Sequence, residues 1–337
     1  MDSVTFTIPN APEINGLAFR PFGGEADYAA MAAIAAVSSA ADGLDSVETA
    51  DDLRNRYTNL VNCDPLRDTL FAEIDGQLIA FGRTSFVNQD DGVRRYMIVT
   101  DVHPAWRRKG AGRAIQRWFE ARVRDIEAAQ PAPAPKESIF FTYCDERQAG
   151  KHALMRAEGY IPMRYGFEML RKLDEPIPDN PLPAGFEFRQ ACPEDYRAVW
   201  QADADAFRDH WGFSQPTEEW YRFWLNTRRF QPDLWKIVWN IADNRIAAQV
   251  QNFIDPEENA KFGRLRGYTE DISTQRPYRR MGLARSAICE SLRMFRDMGF
   301  HETALGVDAE NLTGALRVYE SCGYHVMHTE TLYRKQL

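Results

Sequence analysis

The chain has 337 residues, a length that suggests two domains. Its hydrophobic fraction of 44% and charged fraction of 27% are those of a globular protein that builds its cores without staples. The formal charge of −8 argues against sequence-independent nucleic-acid binding and against docking on anionic lipid, both of which need a basic face. An acidic chain suits a cationic small molecule, although acidity also serves solubility alone.

Read from the N-terminus, MDSVTFTIPN lacks the basic start and apolar core of a signal peptide. The apolar stretch Tyr28 to Ala41 is Ala-rich, carries serines and is too short to span a bilayer, so it reads as a helix in a cytoplasmic protein. The five cysteines are scattered and contain no C-x-x-C, which speaks against a disulfide framework and a thiolate zinc site. The six histidines show no H-E-x-x-H spacing, so no metal is expected.

Two halves follow one plan. LAFRPFGGEADYAAMAAIAA and FEFRQACPEDYRAVWQADA each give a short strand, a turn and an apolar helix. LFAEIDGQLIAFGRTSF and KIVWNIADNRIAAQVQNF are each a hairpin with a tight D-G or D-N turn. Each half then runs a strand into an Arg/Gly-rich turn and a helix, and closes with G-Y and a strand (EMLRKL and TLYRKQL). Between them, DEPIPDNPLPAG holds four prolines that cannot continue a helix or central strand. These signals divide the chain into an N-terminal domain over residues 1–173, a linker over 174–185 and a C-terminal domain over 186–337. A second Pro-rich run, QPAPAPKES, reads as a loop between helix and strand of the first half.

The turns carry most of the chemistry. YMIVTDV leads into HPAWRRKGAGRAIQRWFEARV, and YTEDIST leads into QRPYRRMGLARSAICESLRMF. Their shared core is R-x-x-G-x-G/A: Arg107, Gly110 and Gly112, then Arg279, Gly282 and Ala284. A turn whose backbone N–H groups converge on an anion must lack bulky Cβ atoms at the point of approach, and the helix it opens adds a favourable dipole. Arg107, Arg108 and Arg113 in the first turn, and Arg279, Arg280 and Arg285 in the second, add charge-assisted contacts. Neither turn is a Walker A loop or a G-x-G-x-x-G motif. A single such turn also fits a plain helix start with solvated arginines; the matched pair favours anion binding.

On these residues the sequence resembles the GNAT superfamily of N-acetyltransferases, in the tandem two-domain arrangement of the mycothiol synthase type. The resemblance spans nearly the whole chain, once per half. It implies an α+β (mixed α/β) class with two tandem GNAT-like folds, each a central mixed β-sheet flanked by helices, and acetyl-CoA as cofactor. In that family the strands before and after the turn's helix splay apart around the pantetheine arm. The resemblance implies that Ile272 and Thr274 hold the arm, while Arg279, Arg280, Gly282, Leu283, Ala284 and Arg285 hold the pyrophosphate. The first-half counterparts are Thr100, Val102, Arg107, Arg108, Gly110, Ala111, Gly112 and Arg113.

In the second half, NLTGALRVYESCGY resembles the family's N-x-x-A-x-x-x-Y-x-x-x-G-F/Y segment. Asn311 fits the cofactor-contacting asparagine, and Tyr319 fits the acid that protonates the departing thiolate. Tyr319 also suits an aromatic core position on an amphipathic helix. Glu270 is the candidate base: strand parity puts it on one face with Ile272 and Thr274, and a salt-bridged strand carboxylate is the plain alternative. The first half has Met155 and Arg147 where Tyr319 and Asn311 stand, and Ile98 and Val99 at the positions of Glu270 and Asp271. It therefore lacks the acid and the base.

Six of the eight tryptophans lie between Trp200 and Trp239. Within this stretch Asp209, His210 and Trp211 are the candidate acceptor-binding residues, and Trp220 and Trp224 read as core. The expected activity is acetyl transfer from acetyl-CoA to a primary amine of a small molecule, by direct attack, in a monomer or homodimer. Alternatives are a mycothiol-synthase-like or aminoglycoside-type acyltransferase and, in another class, a non-catalytic acyl-CoA-binding sensor.

Overall fold

The computed structural model describes residues 5–130, 135–311 and 314–337. Residues 131–134 of the second Pro-rich run lie outside them, as do Leu312 and Thr313 of the segment leading to Tyr319. Among the described residues no helix is long and apolar enough to cross a membrane. The chain forms two compact units. One comprises Met1–Met163, Thr217–Phe223 and Thr331–Leu337; the other comprises Arg164–Pro216 and Trp224–Glu330.

The first unit holds β1 (Leu17–Arg20), α1 (Asp27–Asp42), α2 (Ala50–Thr58), β2 (Thr69–Ile74), β3 (Gln77–Asn88), β4 (Val93–Val102), α3 (Ala111–Ala128), β5 (Glu137–Asp145) and α4 (Ala149–Ala157). Its strands lie in chain order, antiparallel except for the parallel pair β4–β5. Asp75 and Gly76, both in the left-handed region, close the β2–β3 hairpin, as a two-residue turn that matches strand twist requires. Apolar residues of α3 at helical spacing (Ile115, Phe119, Val123, Ile126) bury against one sheet face with Ala80, Tyr96 and Ile98. The other face packs Phe71 and Phe81 under α1 and α2.

The second unit repeats the plan with β6 (Ile161–Lys172), β7 (Phe186–Arg189), α5 (Tyr196–Phe207), β8 (Lys236–Asn240), β9 (Arg245–Ile254), α7 (Pro256–Phe262), β10 (Arg266–Thr274), α8 (Leu283–Asp297), β11 (Glu302–Asp308), α9 (Ala315–Ser321) and the first part of β12 (His325–Gln336); α6 (Glu218–Leu225), most of it in the first unit, precedes β8 in the chain. The sheet order is β6-β11-β10-β9-β8-β7, with β10–β11 again the parallel pair. Leu283, Ala287, Ile288, Leu292 and Phe295 of α8 fill its core.

The division differs from the one expected from the prolines. Residues 174–185 lie wholly inside the second unit, where they pack on α8: Asn180 donates to Ser286 Oγ at 2.7 Å, and Arg293 donates to the Pro178 carbonyl at 3.0 Å. The fully buried Arg171 donates to Cys322 O at 2.9 Å and Pro176 O at 2.7 Å, so one guanidinium caps the end of α9 and anchors the proline segment. The closing strands are what move the boundary. β6, the last strand of the first repeat, pairs along β11 from Lys172↔Glu302 to Gly166↔Asp308. The last residues of β12 serve the first unit, where Leu337 donates to Ser138 O at 3.2 Å and Lys335 pairs with Glu120 at 2.7 Å.

Gly267 sits where the Phe295 ring presses on β10: a Cβ there would lie 2.4 Å from the ring. Gly267→Ala should therefore lower stability by about 1–3 kcal/mol, measured by denaturant unfolding, because the fully buried ring has no space to retreat.

Candidate active site

Parallel pairing of β10 with β11 runs through Arg266↔Glu302, Gly267↔Thr303 and Tyr268↔Ala304 and then stops. Beyond it the strands diverge, leaving a gap whose edges are backbone N–H and C=O groups with no ladder partner across it. The first unit diverges in the same way after Met97↔Phe141.

Only β10 carries a bulge at this point. Glu270 pairs with Gln251 and Ser273 with Gln249, so three steps on β10 match two on β9; Asp271 takes the left-handed region (φ 46°). In β4 the register against β3 is unbroken. The extra residue overturns the parity expected for Glu270. It shares a face with Ser273, not with Thr274, and its counterpart in the first unit is Val99 rather than Ile98. On that face Gln249 donates to Asp203 of α5 at 2.9 Å, and Trp224 donates to Gln251 at 3.0 Å.

Glu270 reaches across the divergence and accepts the Gly306 N–H at 2.9 Å. Burial, reinforced by the neighbouring Asp271 charge, pushes its carboxyl up to about 8, against the opposing pull of Arg229 and the Gly306 N–H. Asp203 is raised by burial and by Asp271, and Asp271 itself is raised by burial. The Asp271 side chain nevertheless meets solvent, and Glu270 and Asp203 are half-buried. Crowded by protein yet reached by water, these carboxyls stand where β10 parts from β11. Tyr319 on α9 is buried beside Glu270. Burial first and the Glu270 charge second hold its phenol well above the usual range, so it stays protonated at neutral pH. Asn311 lies just before α9, where its carbonyl accepts the Gly314 N–H at 3.3 Å.

The two turns share one backbone. A short 3-10 turn (Pro104–Trp106, Arg276–Tyr278) leads to a left-handed arginine (Arg108, φ 64°; Arg280, φ 65°) and a left-handed glycine (Gly110, φ 93°; Gly282, φ 81°) that caps the helix. The amides of the opening helical turn (Ala111, Gly112 and Arg113; Leu283, Ala284 and Arg285) have no intrahelical acceptor and face the turn. Ile272 and Thr274, like Thr100 and Val102, are half-buried on the strands entering it.

Several arginines have partners other than the expected anion. Arg279 donates to Thr274 O at 3.2 Å, to Asp209 at 2.9 Å and to Ala206 O at 2.9 Å. Arg107 likewise donates to Val102 O at 3.1 Å, to Ser38 Oγ at 2.7 Å and to Asp42. Each fastens its turn to the end of α1 or α5. Arg113 pairs with Glu158 at 2.8 Å, whereas Arg285 donates to Ser321 O at 3.5 Å. Arg108 and Arg280 are exposed at the turn. Asp209 is held by Arg276 and Arg279, so its carboxylate serves the turn. Burial lowers the affinity of His210 for a proton, and Trp211 lies under the Arg164 guanidinium at 4.9 Å, near Asp308.

Asp203, Asp271, Gln249 and Gln251 were not singled out by sequence reasoning. Asp203 did leave a signal: it falls between Val199 and Ala206 on the apolar stripe of α5, where a carboxyl is out of place. In the first unit Met155 occupies the place of Tyr319 and is buried, and Arg147 is tied to Asp145 at 2.8 Å.

The acetyltransferase (GNAT) family matches residues 38–130 and 196–324. The chain is 27% identical over 255 residues to a mycothiol acetyltransferase of Salinispora tropica, covering 74% of this chain and 75% of that protein. It is 28% identical to one of Thermomonospora curvata, covering 69% and 71%. Among solved structures, a GCN5-related N-acetyltransferase from Sphaerobacter thermophilus superposes with a TM-score of 0.69 at 26% identity, covering 98% of this chain and 97% of that one. A tandem GNAT protein from the clavulanic acid biosynthesis pathway shares the fold, with a TM-score of 0.62 at 14% identity over 95% and 98%. The chain belongs to the acetyltransferase (GNAT) family and is an acyltransferase with tandem GNAT domains.

Proposed function

We propose that the second unit transfers an acetyl group from acetyl-CoA to a primary amine of a small molecule, by direct attack within a ternary complex. The observation that carries this reading is the divergence of β10 and β11, with a raised carboxyl and a protonated phenol beside it. The unpaired strand edge at Ile272 and Thr274 suits an amide-bearing arm. The amides of Gly282 to Arg285, with Arg280 and Arg285, suit a pyrophosphate at a helix start. Asn311 would contact the cofactor at the head of α9. Arg279 acts behind them by fixing the turn.

Acetyl-CoA, when bound, supplies an activated thioester. Glu270 takes the proton that an ammonium must lose before its nitrogen attacks, directly or through one water. Tyr319 gives its proton to the sulfur as the carbon–sulfur bond breaks, so the thiol leaves neutral. The carboxyls of Glu270, Asp271 and Asp203 favour a cationic acceptor. His210 and Trp211 remain candidate acceptor contacts. Asp209, held by two arginines, acts on the acceptor side only through the turn.

A second reading is an acceptor of the mycothiol type. It is favoured by the names of the relatives that share 27% and 28% identity, and the same carboxyls would meet an amine on such a molecule. In the first unit, Thr100, Val102, Arg108, Gly110, Ala111 and Gly112 keep the turn's backbone and suit the same cofactor without chemistry. The cytoplasm fits this reading.

Tyr319→Phe should lower kcat about 10²-fold or more while leaving the affinity for CoA, measured by calorimetry, nearly unchanged. Unchanged turnover in a thiol-release assay would remove the acid role. Because the base must be ionised and its carboxyl is raised to about 8, kcat should climb as pH rises towards 8 and level off above it. Glu270→Gln should abolish that climb. A variant with the parent profile would place the base elsewhere.

A further inference from the structure

The first unit has Met155 and Val99 where the second has Tyr319 and Glu270, and among its described residues Arg83 is a cation with no paired carboxylate. Side chains of β3 alternate between the sheet faces, so Arg83 and Ser85 share the face of Phe81, beneath α1 and α2. The intervening Gly82 faces the other way, under the Phe119 ring of α3. Arg83 is half-buried. Its one hydrogen bond is a long contact to Ser85 Oγ at 3.4 Å, and among the described residues no carboxylate pairs with it.

Tyr57 of α2 packs on the same face and is 6% exposed, with its hydroxyl buried and lacking any hydrogen-bond partner. Burial raises both the Tyr57 phenol and the Cys63 thiol, and at each the Arg83 charge opposes the rise. Acids near this cluster are already engaged: Glu48 pairs with Arg56, Asp68 pairs with Arg122 at 2.8 Å, and Asp64 accepts the Leu66 N–H at 2.9 Å. Asp101, two residues along the face from Val99, is pushed by burial towards its neutral form.

A half-buried guanidinium without a counter-charge and a buried phenol without an acceptor each carry a desolvation cost. One oxyanion accepting from both removes the two together. At the counterpart of Arg83 the second unit has Gln251, whose oxygen accepts from Trp224 at 3.0 Å.

We propose that the first unit binds a small carboxylate between Arg83 and Tyr57, so that the two repeats have clefts of opposite charge. The planar guanidinium fork matches a carboxylate edge-on, and a single cation suits a singly charged anion better than a phosphate dianion. The site lies on the sheet face of Phe81, under α2.

Titration of the full chain with sodium acetate at constant ionic strength, followed by calorimetry and by the Arg83 side-chain ¹⁵N resonance, tests this. Saturable binding with a shifted Arg83 resonance is expected. Arg83→Met should abolish it, and Tyr57→Phe should weaken it about tenfold at an unchanged circular dichroism spectrum. Absence of saturable acetate binding, or equal binding by Arg83→Met, overturns the proposal. Should Arg83→Met not fold, Arg83→Gln and Tyr57→Phe decide it: undiminished affinity in both overturns it equally.

Discussion

The arrangement depends on a parallel strand pair that stops halfway. Buried backbone amides and carbonyls must find partners, and where β10 and β11 part after Tyr268 and Ala304 the ladder no longer supplies them. Glu270 answers part of that demand by accepting the Gly306 N–H. A side chain stretched over a strand divergence is crowded by protein, so its carboxyl is raised; the neighbouring phenol of Tyr319 is raised first by its own burial and then by the Glu270 charge. The gap and the raised carboxyl of Glu270 that bridges it both follow from one interruption in the sheet.

The two repeats share one backbone plan and differ at a few positions around the divergence. Both diverge at the parallel pair and both keep the turn with its left-handed arginine and glycine. The first has an unbroken β3–β4 register, Val99 opposite Arg83, and Met155 in place of a phenol. The second has one inserted residue, a left-handed Asp271, and carboxyls at the divergence. Aspartate tolerates the left-handed region better than most residues, so the bulge carries little strain. The closing strands β6 and β12 are shared out so that neither repeat's sequence supplies its unit alone.

Much of this was legible in the chain. Hairpin turns, alternating strands and the R-x-x-G-x-G/A turns are local signals, and local signals survive in a single sequence. The bulge was not legible, because an extra residue on β10 is defined only against the register of β9; parity counted along YTEDIST put Glu270 with Thr274 instead. The roles of Arg107 and Arg279 were hidden for a similar reason. Their partners lie on α1 and α5, far away in sequence, and a charged side chain at a turn looks the same whether it meets an anion or a helix end. The prolines of 174–185 mark a segment without regular structure, but not a boundary, since hydrogen bonds to Arg171, Ser286 and Arg293 hold it on the second unit.

Amide hydrogen exchange with and without CoA bears on the central claim most directly. If the strand gap and the adjoining turn receive the cofactor, exchange should slow at Ile272 to Thr274 and at Gly282 to Arg285 and stay unchanged in α7, which is bonded to the opposite end of β10 at Arg266. Unaltered exchange at both segments, in the presence of saturating CoA, would contradict it.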